Sequence, residues 1–136
     1  MQEITEDATV IIVDDDSAIR NSLKFSLELE GFGVQTYGSP GELLAQGHFP
    51  KNSCCLVVDY KLPEMNGLQL LRNLRERKCL LPAIQITTNP NADLTRQAKD
   101  AGVTLIEKPL LGDSLIQGIH SALTGGDGRP CLANPV

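Results

Sequence analysis

Cys54-Cys55-Leu56-Val57-Val58-Asp59 is an unbroken apolar run that stops at a carboxylate. A strand half-exposed to water alternates apolar and polar residues. A run without alternation suits a strand covered on both faces, as in a parallel sheet. Neighbours along a strand point to opposite faces, so Cys54 and Cys55 are expected on opposite sides, as small buried hydrophobes. The same pattern recurs outward from this run. Upstream, Thr9-Val10-Ile11-Ile12-Val13 is a β-branched run ending in Asp14-Asp15-Asp16. Ser17 to Glu30 follows, with Ile19, Leu23 and Leu27 on one helical face. Asp16 or Ser17 can cap its start and Gly31 its end. Val34 to Tyr37 reads as a second strand. Ser39-Pro40-Gly41-Glu42 has a capping-box pattern with proline at the first helical position, opening a helix that carries Leu43 and Leu44 and ends at Gly47. Downstream, Leu68, Leu71 and Leu74 line a helix between Gly67 and Arg77. Ala83 to Thr87 is a strand, and Asn91 to Ala101 a more polar helix closed by Gly102. Val103 to Ile106 is the last strand, followed by Glu107-Lys108-Pro109. Ser114 to Leu123 is the last helix, with Leu115, Ile119 and Leu123 on one face.

The chain has 136 residues, enough for one domain of ordinary size. Hydrophobic residues make up 41% and charged residues 21%, so it can bury a core and is not disordered throughout. No apolar run approaches the ~20 residues of a membrane span, and the acidic start, Met1 to Asp7, does not resemble a secretory signal. The net charge of −5 argues against holding a nucleic-acid backbone by bulk charge and suits a cytoplasmic protein. Four cysteines (Cys54, Cys55, Cys79, Cys131) without a C-x-x-C pair, and two histidines, do not suggest structural zinc. Residues 1–7 are expected as an extension, 8–124 as the domain and 125–136, rich in Gly and Pro, as a linker or disordered tail.

Strand and helix alternate five times, which predicts an α/β domain: a flavodoxin-like, doubly wound, five-stranded parallel sheet of order 2-1-3-4-5 with five helices. In that order the first and third strands are neighbours. A site is expected beyond the carboxyl ends of the strands, at the switch between them. Asp14, Asp15 and Asp16 follow the first strand, Asp59 ends the third, Thr87 ends the fourth and Lys108 follows the fifth. Taken singly, these are a helix-start acidic cluster, a turn residue, a β-branched strand residue and a surface lysine. Together they converge on one rim. Crowded carboxylates repel, and a hard divalent cation such as magnesium resolves that. A hydroxyl and an ammonium can hold the oxygens of a phosphoryl group, and an Asp carboxylate can be the nucleophile that accepts it.

The residues Val13-Asp14-Asp15-Asp16-Ser17-Ala18-Ile19-Arg20, Val57 through Gly67, Ile84-Gln85-Ile86-Thr87 and Ala101-Gly102-Val103 through Glu107-Lys108-Pro109 resemble the response-regulator receiver domain of bacterial two-component systems. The likeness spans about residues 8 to 124, and Met-Asn-Gly-Leu-Gln-Leu-Leu with Ile-Glu-Lys-Pro resembles FixJ-type receivers. It implies Asp59 as phosphoacceptor, and Asp14, Asp15, Asp59 and the Lys61 backbone carbonyl as magnesium ligands. It implies Thr87 as the hydroxyl that contacts the phosphoryl group and moves on activation, Lys108 as its pairing lysine, and Pro63 and Gly67 as loop-shaping residues. The bond to Pro109 is commonly cis in the family. The implied donor is a sensor histidine kinase or phosphotransfer protein. The implied consequence is a switched surface on helix four, strand five and helix five, with a homodimer through helix four and strand five. No membrane or direct nucleic-acid contact is implied for this domain, and it is not an enzyme beyond assisting its own phosphorylation and dephosphorylation.

The output positions depart from the family. Leu105 stands where an aromatic is usual, Thr88 where a small residue is usual, and Asn89-Pro90-Asn91 carries a stiffening proline. A degenerate receiver serving only as an interaction module is therefore one alternative; within the main reading, a stand-alone phosphorelay receiver is the alternative to the receiver half of a transcription regulator. A haloacid-dehalogenase-like phosphatase wants Asp-x-Asp-x-Thr/Val, where this chain has Asp14-Asp15-Asp16-Ser17-Ala18. A flavin protein would place its phosphate among the same aspartates.

Overall fold

In a computed structural model, residues 8–46, 49–50, 52–108 and 114–125 are described. The order of elements is β1 (Thr9–Val13), α1 (Ser17–Leu29), β2 (Gly33–Tyr37), α2 (Pro40–Gln46), β3 (Ser53–Asp59), α3 (Gly67–Glu76), β4 (Ala83–Thr87), α4 (Ala92–Asp100), β5 (Thr104–Glu107) and α5 (Ser114–Gly125). All strand pairs are parallel, and the sheet order is β2-β1-β3-β4-β5, as the alternation predicts. The periodicity explains the two covered faces. Ile11, Val13, Leu56 and Val58 pack with residues of α2, α3 and α4. Val10, Ile12, Val57, Ile84 and Ile86 pack on the other face with residues of α1 and α5. No helix among the described residues is long and apolar enough to cross a membrane.

Helix boundaries follow local chemistry. Asp16 is the N-cap of α1, its carboxylate accepting from the N–H groups of Ala18 (2.9 Å) and Ile19 (3.3 Å). At the other end Gly31 takes φ 98° while the Phe32 N–H returns to the Leu27 carbonyl. Only glycine adopts that backbone without strain. Replacing Asp16 with alanine is expected to cost about 1 kcal/mol. Urea unfolding of the variant would measure it, and no change in midpoint would mean that water replaces the cap.

Three local expectations are corrected. Cys54 and Cys55 both join the cluster facing α1 and α5 rather than opposite faces. Thr9 pairs with Ser53 and Val10 with Cys55, so Cys54 is the extra residue of a bulge that breaks the alternation. At α2 the Ser39 hydroxyl accepts from the Glu42 N–H (3.1 Å), but the Glu42 carboxylate takes the Gly38 N–H (2.8 Å) instead of closing a box on Ser39. A reciprocal box forms at α3, where Asn66 and Gln69 each accept the other's N–H at 2.8 Å. The last helix runs through Gly125, two residues past the expected Leu123. Gly47, Pro109, Cys131 and the segments 1–7 and 126–136 lie outside the described residues.

Candidate functional site

Strands β1 and β3 are neighbours, with Val13 paired to Val58, so Asp14 and Asp59 leave the sheet side by side. Asp14 is 1% exposed. Its Oδ1 accepts the Asp16 N–H at 2.9 Å, and its Oδ2 lies 3.4 Å from Lys108 Nζ. The same ammonium is 3.2 Å from Asp59 Oδ1. One partly buried cation therefore sits between two buried carboxylates. Its position comes from the sheet: the Lys108 N–H donates to the Thr87 carbonyl at 2.7 Å, extending the β4–β5 ladder past Glu107. Asp15 is exposed and adds a third carboxylate. One oxygen from each of Asp14, Asp15 and Asp59 lies within 4.8 Å of the others. Among the described residues this is the one such group of three. An all-oxygen set with part of its charge already balanced fits a hard divalent cation.

The charges act on each other. Burial pushes the Asp59 carboxyl up and the Asp14 charge adds to this, while Lys108 pulls it back; the balance lies at about 6. Burial alone would lower the Lys108 ammonium, but Asp59 and Asp14 outweigh it and hold it above its ordinary range. At neutral pH the site therefore carries an ionised Asp59 against a firmly charged Lys108.

The other sequence-predicted residues lie on the loops and strand ends that follow β3, β4 and β5. Thr87 is buried at the end of β4, and its hydroxyl oxygen accepts the Asn89 N–H at 3.2 Å. An open cavity of about 170 Å³ beside the acceptor loop is lined by Tyr60, Lys61, Thr87, Thr88, Asn91 and Leu94. Thr88 and Lys61 are exposed at its edge. Asn91 caps α4 by accepting the Leu94 N–H at 2.8 Å, so the loop is tied at both ends. Leu105 is half-buried and pairs in register with Gln85, on the α3–α4 side of the sheet. The loop after Asp59 turns tightly, with the Met65 N–H on the Pro63 carbonyl at 2.8 Å, and closes where the Gly67 N–H meets the Tyr60 carbonyl at 2.8 Å. Pro109 lies outside the described residues.

Three contributors were not singled out by sequence. Arg20 Nη1 donates to the Asp14 carbonyl at 2.6 Å. Nothing in the sequence beyond its place in the first turns of α1 signals this. Glu64 takes φ 76° and accepts the Gly41 N–H at 3.0 Å, tying the acceptor loop to the start of α2. Gln85 is fully buried under the loop, and its signal was legible: a polar residue between Ile84 and Ile86 in a covered strand.

The match to known proteins agrees with this geometry. The model of the response regulator receiver domain family matches residues 10–120. The transcriptional regulatory protein FixJ of Rhizobium meliloti (strain 1021) is 39% identical over 117 residues, covering 85% of this chain and 57% of FixJ. The C4-dicarboxylate transport transcriptional regulatory protein DctR of Rhodobacter capsulatus is 33% identical over 125 residues, covering 89% of this chain and 62% of DctR. The chain thus spans about three fifths of the length of these relatives. The crystal structure of FixJ-N superposes with a TM-score of 0.77 at 38% identity, covering 90% of this chain and 94% of that one. A receiver domain protein from Clostridium thermocellum gives a TM-score of 0.78 at 26% identity, covering 85% and 94%. With the 2-1-3-4-5 sheet, the paired acids at the ends of β1 and β3 and the family match over most of its length, the chain belongs to the response regulator receiver domain family.

Proposed function

We propose that this domain accepts a phosphoryl group on Asp59 in a magnesium-dependent reaction and thereby switches an interaction surface. The observation that carries the reading is the buried Asp59 carboxylate held 3.2 Å from Lys108 beside Asp14 and Asp15. Asp14, Asp15, Asp59 and the Lys61 carbonyl are the proposed ligands of magnesium. The bound cation would supply charge neutralisation for the transferring phosphoryl oxygens. The donor is a phosphohistidine on a sensor histidine kinase or phosphotransfer protein. An Asp59 carboxylate oxygen forms the new O–P bond as the N–P bond breaks. That electron pair returns to the donor's imidazole nitrogen, which picks up a proton. Lys108 stabilises the charge that stays on the phosphoryl group. The Thr87 hydroxyl oxygen is already an acceptor for Asn89, which leaves its own O–H to donate to a phosphoryl oxygen. Movement of Thr87 would load the tied Asn89–Asn91 loop and shift α4 and β5, including Leu105.

The relatives are transcriptional regulatory proteins. This supports, as part of the same proposal, control of transcription through an output domain; a homodimer on the α4–β5 face is proposed with it. A cytoplasmic site, no direct nucleic-acid contact by this domain and no turnover beyond its own phosphorylation and dephosphorylation complete the reading. A second reading rests on Leu105 and Thr88: a receiver that acts as an interaction module without phosphorylation. A stand-alone relay is a variant of the main reading.

Intact-mass analysis after incubation with acetyl phosphate separates a phosphoacceptor from an interaction module. A single phosphoryl adduct that needs magnesium and is missing from Asp59→Asn is expected. A folded wild type without an adduct would refute the acceptor role and leave the interaction module.

A further inference from the structure

Gln85 sits in the middle of β4 with no exposure, between Ile84 and Ile86. Its register partners are Val58 on the acceptor strand and Leu105 on β5. Its Nε2 donates to the Val58 carbonyl at 2.7 Å. Its Oε1 is buried without a hydrogen-bond partner. The orientation is forced, because only the NH₂ end of an amide can face a carbonyl oxygen. A buried acceptor left unpaired weakens the fold, and an apolar side chain of similar length would not carry that cost. Packing alone therefore does not account for glutamine here.

The amide lies at the joint between β3 and α3. A Cβ placed on Gly67 would meet Gln85 Nε2 at 2.1 Å and the Asp59 carbonyl at 2.6 Å. The amide, the Asp59 peptide and the first turn of α3 thus crowd around one point. We propose that Gln85 is a positioning residue for Asp59: by holding the Val58 carbonyl, it orients the peptide from which the acceptor side chain springs. This rests on the reading of Asp59 as the phosphoacceptor. Rotation of the Val58–Asp59 peptide would swing the carboxylate relative to Lys108 and Asp14, and small misplacements of a reacting group are costly.

The test compares Gln85→Met and Gln85→Leu with the wild-type chain. Three quantities are read: thermal unfolding, magnesium affinity by calorimetry, and the rate of the acetyl phosphate adduct at saturating magnesium. The expected result is an unfolding temperature at or above wild type, with adduct formation slowed ~10-fold and magnesium bound several-fold more weakly. Rate and affinity within about twofold of wild type in both variants would overturn the proposal. So would rate and stability falling together, including a failure to fold, because that is the signature of packing. A wild type that binds magnesium but takes no phosphoryl group refutes the acceptor reading alone, and the magnesium affinities then still decide the role of Gln85.

Discussion

Gly67→Ala is expected to destabilise the domain by about 3 kcal/mol or more, lowering its unfolding temperature by ~10 °C. The added Cβ would stand 2.1 Å from Gln85 Nε2 and 2.6 Å from the Asp59 carbonyl. Real Cβ atoms do not approach other atoms so closely. Gln85 cannot swing aside, because it is fully buried and its Nε2 is engaged by the Val58 carbonyl. The Asp59 carbonyl belongs to the sheet's own end and is less movable still. The Gly67 N–H is also anchored to the Tyr60 carbonyl at 2.8 Å, so α3 cannot slide outward without losing that bond. The need for glycine is therefore close approach, not an unusual backbone angle. Because the strain falls on the Asp59 peptide, magnesium affinity should drop as well. Urea unfolding and calorimetry on the purified variant would check both, and a loss below 1 kcal/mol would show that the joint yields more easily than its contacts indicate.

Lys108→Met is expected to destabilise the metal-free domain by ~2–3 kcal/mol near pH 8 and by far less near pH 4. The sign follows from Asp59. Its carboxyl, near 3.8 when unfolded, is raised to about 6 in the fold. A raised acid favours the fold while protonated, so stability is fully present below about pH 3.8 and is lost as pH rises through about 6. Lys108 is the main restraint on that rise. Without it Asp59 holds its proton to still higher pH, and above that the carboxylates face one another with no ammonium between them. The ammonium itself, held above its ordinary range, contributes stability that is constant across this window and is lost only at strongly alkaline pH. The gap between variant and wild type should therefore stay small up to about pH 6, where Asp59 begins to ionise in the wild type, and open above it towards pH 8. Millimolar magnesium should narrow it by binding the folded state. Denaturant unfolding at several pH values measures this, and a gap independent of pH would sink the electrostatic account. Asp59→Asn is the counterpart: by removing one of the crowded charges it should gain stability at neutral pH and flatten the acid-range slope.

Much of this site was legible from residue order alone. Each strand run ends at its chemistry: Val13 at Asp14, Val58 at Asp59, Ile86 at Thr87 and Glu107 at Lys108. In a parallel sheet every strand points the same way, so residues at carboxyl ends share a rim whatever their distance in sequence. The caps were legible for the same local reason, since Asp16 and Gly31 act on backbone groups a few residues away. Less legible were features set by how two strands register. The Cys54 bulge depends on Thr9 and Val10 choosing Ser53 and Cys55 as partners, which no property of the Cys-Cys pair announces.

The sequence by itself determined the element types, the sheet order and the rim on which the acids, the hydroxyl and the lysine meet, because periodicity and capping are local and handedness leaves few topologies. Tertiary structure alone decided that Lys108 touches both Asp14 and Asp59, across a separation of 94 residues to the former, that Arg20 holds the Asp14 carbonyl, and that Gln85 and Gly67 share one crowded joint behind the acceptor. Those contacts are fixed to tenths of an ångström by packing between elements distant in the chain, and residue spacing carries no information at that scale.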